Sequence, residues 1–232
     1  FAVRLGLRLV SHLAKATGLR IVEARQQAPF DSADDLARRA GVSDSEMKVL
    51  AAADALMSLS GHRRQQVWDA AALKAAPALL TEAPIDEDYL ELPEAPEGEE
   101  VVWDYASTGL TLRSHPLALL RPRLARRGLL SAAQLDKVRD GQVVRACGIV
   151  TLRQQPETAK GTIFISLEDE TGTVQVICWK SIRETQREAL LQARLMAVQG
   201  VWQREGSVRN LIAQEIRDLT PMLGRLASLG KS

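Results

Sequence analysis

The chain has 232 residues, of which 46% are hydrophobic and 25% charged, with a formal net charge of +1. That length suits two small domains with separate cores, and no apolar run nears the roughly 20 residues that span a bilayer. Two cysteines and three scattered histidines (His12, His62, His115) carry no zinc-binding spacing, and no signal peptide is visible. The expected setting is the cytoplasm, with Cys147 and Cys178 as buried free thiols. Phe1 opens the chain inside helical sequence, as expected of a segment of a longer protein.

Phe1 to Val10 reads as an apolar and basic helix end, and Ser11-His12-Leu13-Ala14 as a turn. A helix follows from about Lys15 to Gln27, with Leu13, Ile21 and Val22 on its apolar side. Pro29-Phe30-Asp31-Ser32 breaks it; Ser32 with Asp35 caps the next helix, which ends at Gly41. Ser43-Asp44-Ser45-Glu46 is a capping box opening a helix with Met47, Leu50, Ala51 and Leu56. Gly61-His62-Arg63-Arg64 leads a further helix through Trp68 to Ala76, which Pro77 stops. Short helices on tight turns predict an all-α region of paired helix-hairpin-helix units over residues 1–76. Such units hold DNA backbone through hairpin amides and a helix N-terminus, without reading bases. A small helical bundle with no ligand has the same pattern.

Residues 77–100 hold four prolines, and residues 81–100 hold nine acids with no Lys or Arg. The composition predicts a solvated tether, or a docking strip for a basic partner. With those acids set aside the rest of the chain carries +10, a mildly basic balance that suits a polyanion. Residues 101–141 form a connector, turn-rich from Asp104 to Leu110. His115-Pro116-Leu117 opens a helix to Gly128 that carries Arg121, Arg123, Arg126 and Arg127, a phosphate-binding strip or a solvated face. Leu130 to Val138 reads as a last short helix.

The most informative stretch is 142–220. Gln142–Arg153 is extended and β-branched, and a polar, basic loop runs from Gln154 to Gly161. Thr162–Leu167 and Thr173–Trp179 flank the turn Glu168-Asp169-Glu170-Thr171-Gly172, which makes a hairpin. Ser181–Ala193 reads as one helix, with Ser181 as cap and Glu184 three residues on. Strands Leu195–Gln203 and Ser207–Gln214 follow, joined at Arg204-Glu205-Gly206. Three strands, a helix and two strands is the order of the five-stranded OB-fold barrel, whose second and third strands often bind oligonucleotides. The expected class is therefore α+β: a tandem helix-hairpin-helix region joined by an acidic linker to an OB-fold β-barrel, with residues 221–232 as a tail.

No Gly-rich phosphate loop, Gly-x-Ser-x-Gly elbow or His-Glu-x-x-His motif occurs. Glu168-Asp169-Glu170 is the one tight carboxylate cluster, and on a hairpin turn it reads as solvated. By its residues the chain binds and positions rather than catalyses, with no catalytic, metal-ligating or cofactor-binding residue expected within it.

Several phrases together resemble the bacterial C-family DNA polymerases of the replicative alpha-subunit type. These are Arg20–Arg25 with Pro29–Ser32, Ala53–Leu56, Arg63–Trp68, Asp104–Leu110, His115–Leu117 and Thr158–Gly172. Within that family the chain is most similar to the error-prone, damage-inducible branch, ImuC. The resemblance implies template-directed nucleotidyl transfer in translesion synthesis, catalysed with Mg by a palm domain outside this chain. It implies accessory mutagenesis proteins resembling ImuA and ImuB as partners; Gln134-Leu135-Asp136-Lys137-Val138 lacks the aromatic end of a clamp-binding peptide, so contact with the sliding clamp is expected to be indirect. His12 stands where the family has glycine in its first hairpin, and a β-carbon there obstructs close approach of a phosphate.

The candidate DNA contacts are Arg153 and Lys160 on the first barrel loop, Lys180 after strand three, and Arg204 and Arg209 at the last turn. Lys15 and Arg20 are candidates on the helical part. Strand alternation places Phe164 outward, where it can stack a base. Trp179 shares a face with Gln175 and Ile177, with burial and exposure both open. The partners expected are single-stranded template and duplex backbone, and no membrane. The alternative is a protein-docking module with little DNA affinity.

Overall fold

Helix caps account for much of the first half of the chain. A computed structural model describes residues 5–72, 90–157, 161–206 and 208–228, which fall into two compact units, 1–112 and 113–232. In the first unit a 3-10 turn, Leu7–Leu9, precedes α1 (Lys15–Gln27). Ser32 accepts the Asp35 amide at 3.1 Å and opens α2 (Ala33–Ala40), which ends at Gly41 with φ 59°. Ser43 and Glu46 form the expected capping box of α3 (Asp44–Ala52). Two short helices follow, α4 (Met57–Ser60) and α5 (Arg63–Ala72). Ile21, Leu36, Met47, Leu50 and Leu56 build one core beneath them.

Two expectations are corrected here. Asp54 takes a left-handed conformation, φ 57°, that ends α3, so Leu56 is buried just ahead of α4 instead. The extension of α5 to Ala76 and the linker residues 77–89 lie outside the described residues. Residues 97–100 are not tether but the first turn of α6 (Glu97–Ser107). The physical reason is Arg63, whose side chain is 3% exposed and needs anions around it. It donates to the Glu100 carbonyl at 2.9 Å, lies 3.3 Å from the Glu100 carboxylate and pairs with Asp104. The first part of the connector, through Leu112, thus belongs with the helices.

The second unit opens with α7 (Pro116–Ala125) and the single-turn α8 (Ala132–Leu135). Five strands follow: β1 (Val143–Gln154), β2 (Ile163–Asp169), β3 (Gly172–Cys178), β4 (Leu195–Glu205) and β5 (Val208–Asp218). They close into a barrel in the order β1-β2-β3-β5-β4, parallel only between β3 and β5. Ile165, Leu167, Val176, Leu190 and Leu211 are fully inside. The fold is the expected α+β pair of a helical region and an OB barrel.

The helix expected over Ser181–Ala193 is two, α9 (Lys180–Thr185) and α10 (Arg187–Gln192), and Trp179 rather than Ser181 stands at the cap position. Gln186 breaks them with φ −131° and ψ 36°. Its side chain serves β5 instead, accepting the Ile216 amide at 2.6 Å. The tail expected after Thr220 is structured to residue 228: α11 (Pro221–Gly224) and a 3-10 turn, Leu226–Ser228, bury Met222 and Leu226.

Barrel closure brings backbones together where a side chain has no room. A Cβ built on Gly200 would stand 2.0 Å from the Ile212 carbonyl oxygen, beside a register shift in the β4–β5 ladder. A Cβ on Gly148 would stand 2.9 Å from the Glu168 amide nitrogen. Gly18, inside α1, meets nothing within 4 Å. Urea denaturation of Gly200→Ala should show a loss at the upper end of about 1–3 kcal/mol, the cost of overpacking. Gly18→Ala should gain about 0.5–1 kcal/mol by helix propensity. A Gly200→Ala variant as stable as the parent would contradict this account of closure.

Candidate nucleic-acid interface

Alternation along β2 buries Ile163, Ile165 and Leu167 and leaves Phe164 outside, 37% exposed. Cross-strand register places Gln154 and Ile177 on either side of Phe164. The next outward row is Leu152, Ser166 and Gln175, with Leu152 45% exposed. Trp179 is 52% exposed. Strand parity does not govern it, because β3 ends at Cys178 and the chain turns at once into α9. Two aromatic rings therefore stand in solvent on the second and third strands or just past them, beside the exposed Lys180.

The row through Phe164 and Ile177 continues to Ile212, Val201 and Val143 by ladder pairing, across all five strands. Each of these five residues is exposed or half-buried. The sequence reading missed this band. Its signal was the apolar residue at an outward position in every strand, but that signal needs the register to be seen.

The candidate cations have more varied fates. Arg20 donates Nε to the Ala40 carbonyl and Nη2 to the Gly41 carbonyl, both at 3.0 Å, so it closes the end of α2. Arg153 donates Nε to the Leu190 carbonyl at 2.8 Å and Nη2 to the Ala193 carbonyl, closing α10, and burial pulls its pKa down. Arg204 donates to the carbonyls of Asp136 at 3.3 Å and Val138 at 3.2 Å. All three thus satisfy helix-end or loop carbonyls, which have no intrahelical partner of their own, while the side chains of Arg20 and Arg204 stay exposed. Arg209 pairs with Asp136 in the open, an ion pair of small worth. Lys180 is exposed, 3.6 Å from Glu184, and Lys15 is exposed at the start of α1. Lys160 lies outside the described residues.

Glu168-Asp169-Glu170 is likewise not a solvated turn throughout. The Asp169 side chain, 2% exposed, accepts the amides of Thr171 at 2.7 Å, Gly172 at 3.1 Å and Ala132 at 2.8 Å. Arg121 forks onto Glu170 at 2.5 and 2.8 Å and reaches Asp169 at 3.2 Å. Arg121 is thereby withdrawn from the expected arginine strip, and its bidentate pair ties α7 to the β2–β3 hairpin. Among the described residues no group of three His, Cys, Asp or Glu is placed to hold a metal ion, and no helix is long and apolar enough to cross a membrane. Cys147 and Cys178 are buried, and burial pushes both thiols up to about 12.

His12 stands at φ 65°, in the left-handed region that glycine favours. The first hairpin thus keeps a glycine-type backbone while carrying an imidazole.

His115 caps α7 by accepting the Leu117 amide on Nδ1 at 3.1 Å, which requires a neutral ring. Burial lowers its pKa, against the raising pull of Glu168, Glu170 and Asp169. The unfolded ring protonates below about pH 6.5 while the folded ring resists. The stability due to this term is therefore complete above that pH and declines as pH falls toward the folded pKa. His115→Asn keeps a capping side chain without the titration. Its urea-unfolding free energy should fall less steeply than the parent's from pH 6.5 to 5.5, and identical slopes would exclude the His115 term.

The chain matches two family models: a helix-hairpin-helix motif over residues 1–66 and an OB-fold nucleic acid binding domain over residues 144–219. It is 55% identical to an error-prone DNA polymerase of Ralstonia nicotianae over 97% of the chain and 21% of that protein. It is 49% identical to one from Azoarcus sp. over 98% of the chain and 21% of that protein. It is 45% identical to one from Methylococcus capsulatus over 97% of the chain and 22% of that protein. The chain spans about a fifth of the length of the curated relatives it matches.

Proposed function

This chain belongs to the error-prone DNA polymerase family, as a segment of it, and from that premise we propose that it is the part that holds DNA. Its parent, in this reading, is a nucleotidyltransferase of damage-induced translesion synthesis. Mg-dependent chemistry is done by residues elsewhere, and this segment keeps single-stranded template on the outer face of β2 and β3. The observation that carries the reading is the exposure of Phe164 and Trp179 on and beside that face. A base stacked on an aromatic ring is worth about 1–3 kcal/mol and tolerates any sequence, as copying an unknown lesion requires. The helical region would touch duplex backbone, with Lys15 beside the α1 amides, which have no side-chain cap.

Electrostatics sets the expected character of binding. Arg20, Arg153 and Arg204 serve the fold, which leaves Lys180 and Arg209 as the described cations among the barrel candidates. Binding carried by stacking with few phosphate contacts has a shallow salt dependence, about −0.7 per phosphate for single strands. A second reading, docking of accessory mutagenesis proteins, draws on the aliphatic end of the outward band, Ile212, Val201 and Val143, which offers nothing for a base to stack on.

Fluorescence anisotropy with a labelled single-stranded oligonucleotide decides between them. Phe164→Ala and Trp179→Ala should each weaken binding about 5- to 150-fold, and log K against log salt should slope no more steeply than about −2, for two or three phosphates. Absence of binding at low salt, or full affinity in both variants, would contradict the template-holding role. Val201→Glu should leave the oligonucleotide affinity of the β2–β3 face unchanged.

A further inference from the structure

A second surface lies in the helical unit and goes beyond DNA binding. Between α5, the extended residues 90–96 and α6 is a cleft of about 280 Å³. Val67, Trp68, Ala71, Leu92, Ala95 and Trp103 give it an apolar lining, and the ion-paired Arg63, Arg64, Glu99 and Glu100 complete it. Both indoles reach solvent, Trp68 at 52% and Trp103 at 39% exposed. Two exposed tryptophans on one cleft mark an interaction site more strongly than scattered apolar residues do.

The cleft is held in shape. The Leu92 amide donates to Gln65 Oε1 at 3.1 Å, and the Leu92 carbonyl is bonded to His62 Nε2 at 2.7 Å. Arg64 reaches the Pro93 carbonyl at 3.4 Å and the Glu99 carboxylate at 2.9 Å. Both backbone groups of Leu92 are thus tied to side chains, Gln65 on α5 and His62 just before it, which fixes the wall before any partner arrives.

Charge names the partner. Glu91 and Glu94 are exposed on the same extended segment. Residues 90–100 contain no Lys or Arg, and Arg64 is already paired with Glu99. Among the lining charges Arg63 is matched by Glu100 and Arg64 by Glu99, so the exposed Glu91 and Glu94 on the segment that supplies Leu92 and Ala95 leave this wall with an acidic excess. It repels a polyanion and attracts Lys and Arg. We propose that this cleft docks a basic segment of another protein, which seats one or two aromatic or aliphatic side chains between Trp68 and Trp103 and sets its cations against Glu91 and Glu94. The volume suits one or two anchor side chains, and a Trp-lined site concentrates affinity on such anchors.

The test is selection of a random-peptide display library on the full chain, with each enriched peptide then synthesised and titrated. The expected consensus is an aromatic or leucine anchor with Lys or Arg close by. Affinity should drop at least about tenfold in Trp68→Ala and in Trp103→Ala, as for interface anchors. It should drop several-fold in the Glu91→Lys, Glu94→Lys double variant and in raised salt. Trp68 is half exposed, so Trp68→Ala is expected to fold, and its melting curve checks this. Four results would overturn the proposal: no enriched peptide, enriched peptides that bind Trp68→Ala equally well, displacement by single-stranded oligonucleotide, or self-association of the chain that Trp68→Ala abolishes. The last would make a second copy the occupant.

Discussion

Closing five strands into a barrel forces one strand across another at a distance no side chain tolerates. Here β4 passes β5 so closely that a Cβ at Gly200 would stand within 2.0 Å of the Ile212 carbonyl oxygen. The rest of the unit follows from that approach. It lets β4 pair with β1 on one edge and β5 on the other, so no barrel edge is left open. Closure also sets the register that carries one outward apolar row around all five strands. The outward row is thus a consequence of a backbone constraint at a residue with no side chain.

A second layer of order comes from charges turned inward. Asp169 takes three backbone amides on its carboxylate, and Arg121 forks onto Glu170 beside it. Arg20, Arg153 and Arg204 close helix ends or loops through carbonyl oxygens. Arginine suits this work because its planar fork serves two acceptors at once. The result is a barrel with fewer free cations than its sequence suggests, and aromatic rings where the charge was expected.

Much of this was legible in the sequence. Period-two alternation placed Phe164 outside and Ile165 inside, and the cap at Ser32 and the capping box at Ser43 marked helix starts, because both signals are local. The fates of Arg153 and Arg20 were not, because their acceptors lie 37 and 20 residues away in sequence. Trp179 escaped because parity ends where the strand ends, one residue before it. Residues 97–100 were read as tether from composition alone. Glu100 is held by Arg63 and Glu99 by Arg64, residues that composition cannot connect to them. The cysteines were read as buried thiols, and burial raises both to about 12.

The helical and barrel units differ in the surfaces they offer. The barrel offers rings with a few cations, and the helical unit carries an acidic, Trp-lined cleft that a polyanion avoids. The central claim is that single-stranded DNA lies on the β2–β3 face. Photo-crosslinking the full chain to an oligonucleotide bearing 5-iodouracil, with mass spectrometry of the adducts, tests it most directly. Adducts at Phe164 or Trp179 are the predicted result. Adducts confined to the β1–β4 side near Val143 and Val201, or to the helical unit, would contradict the account.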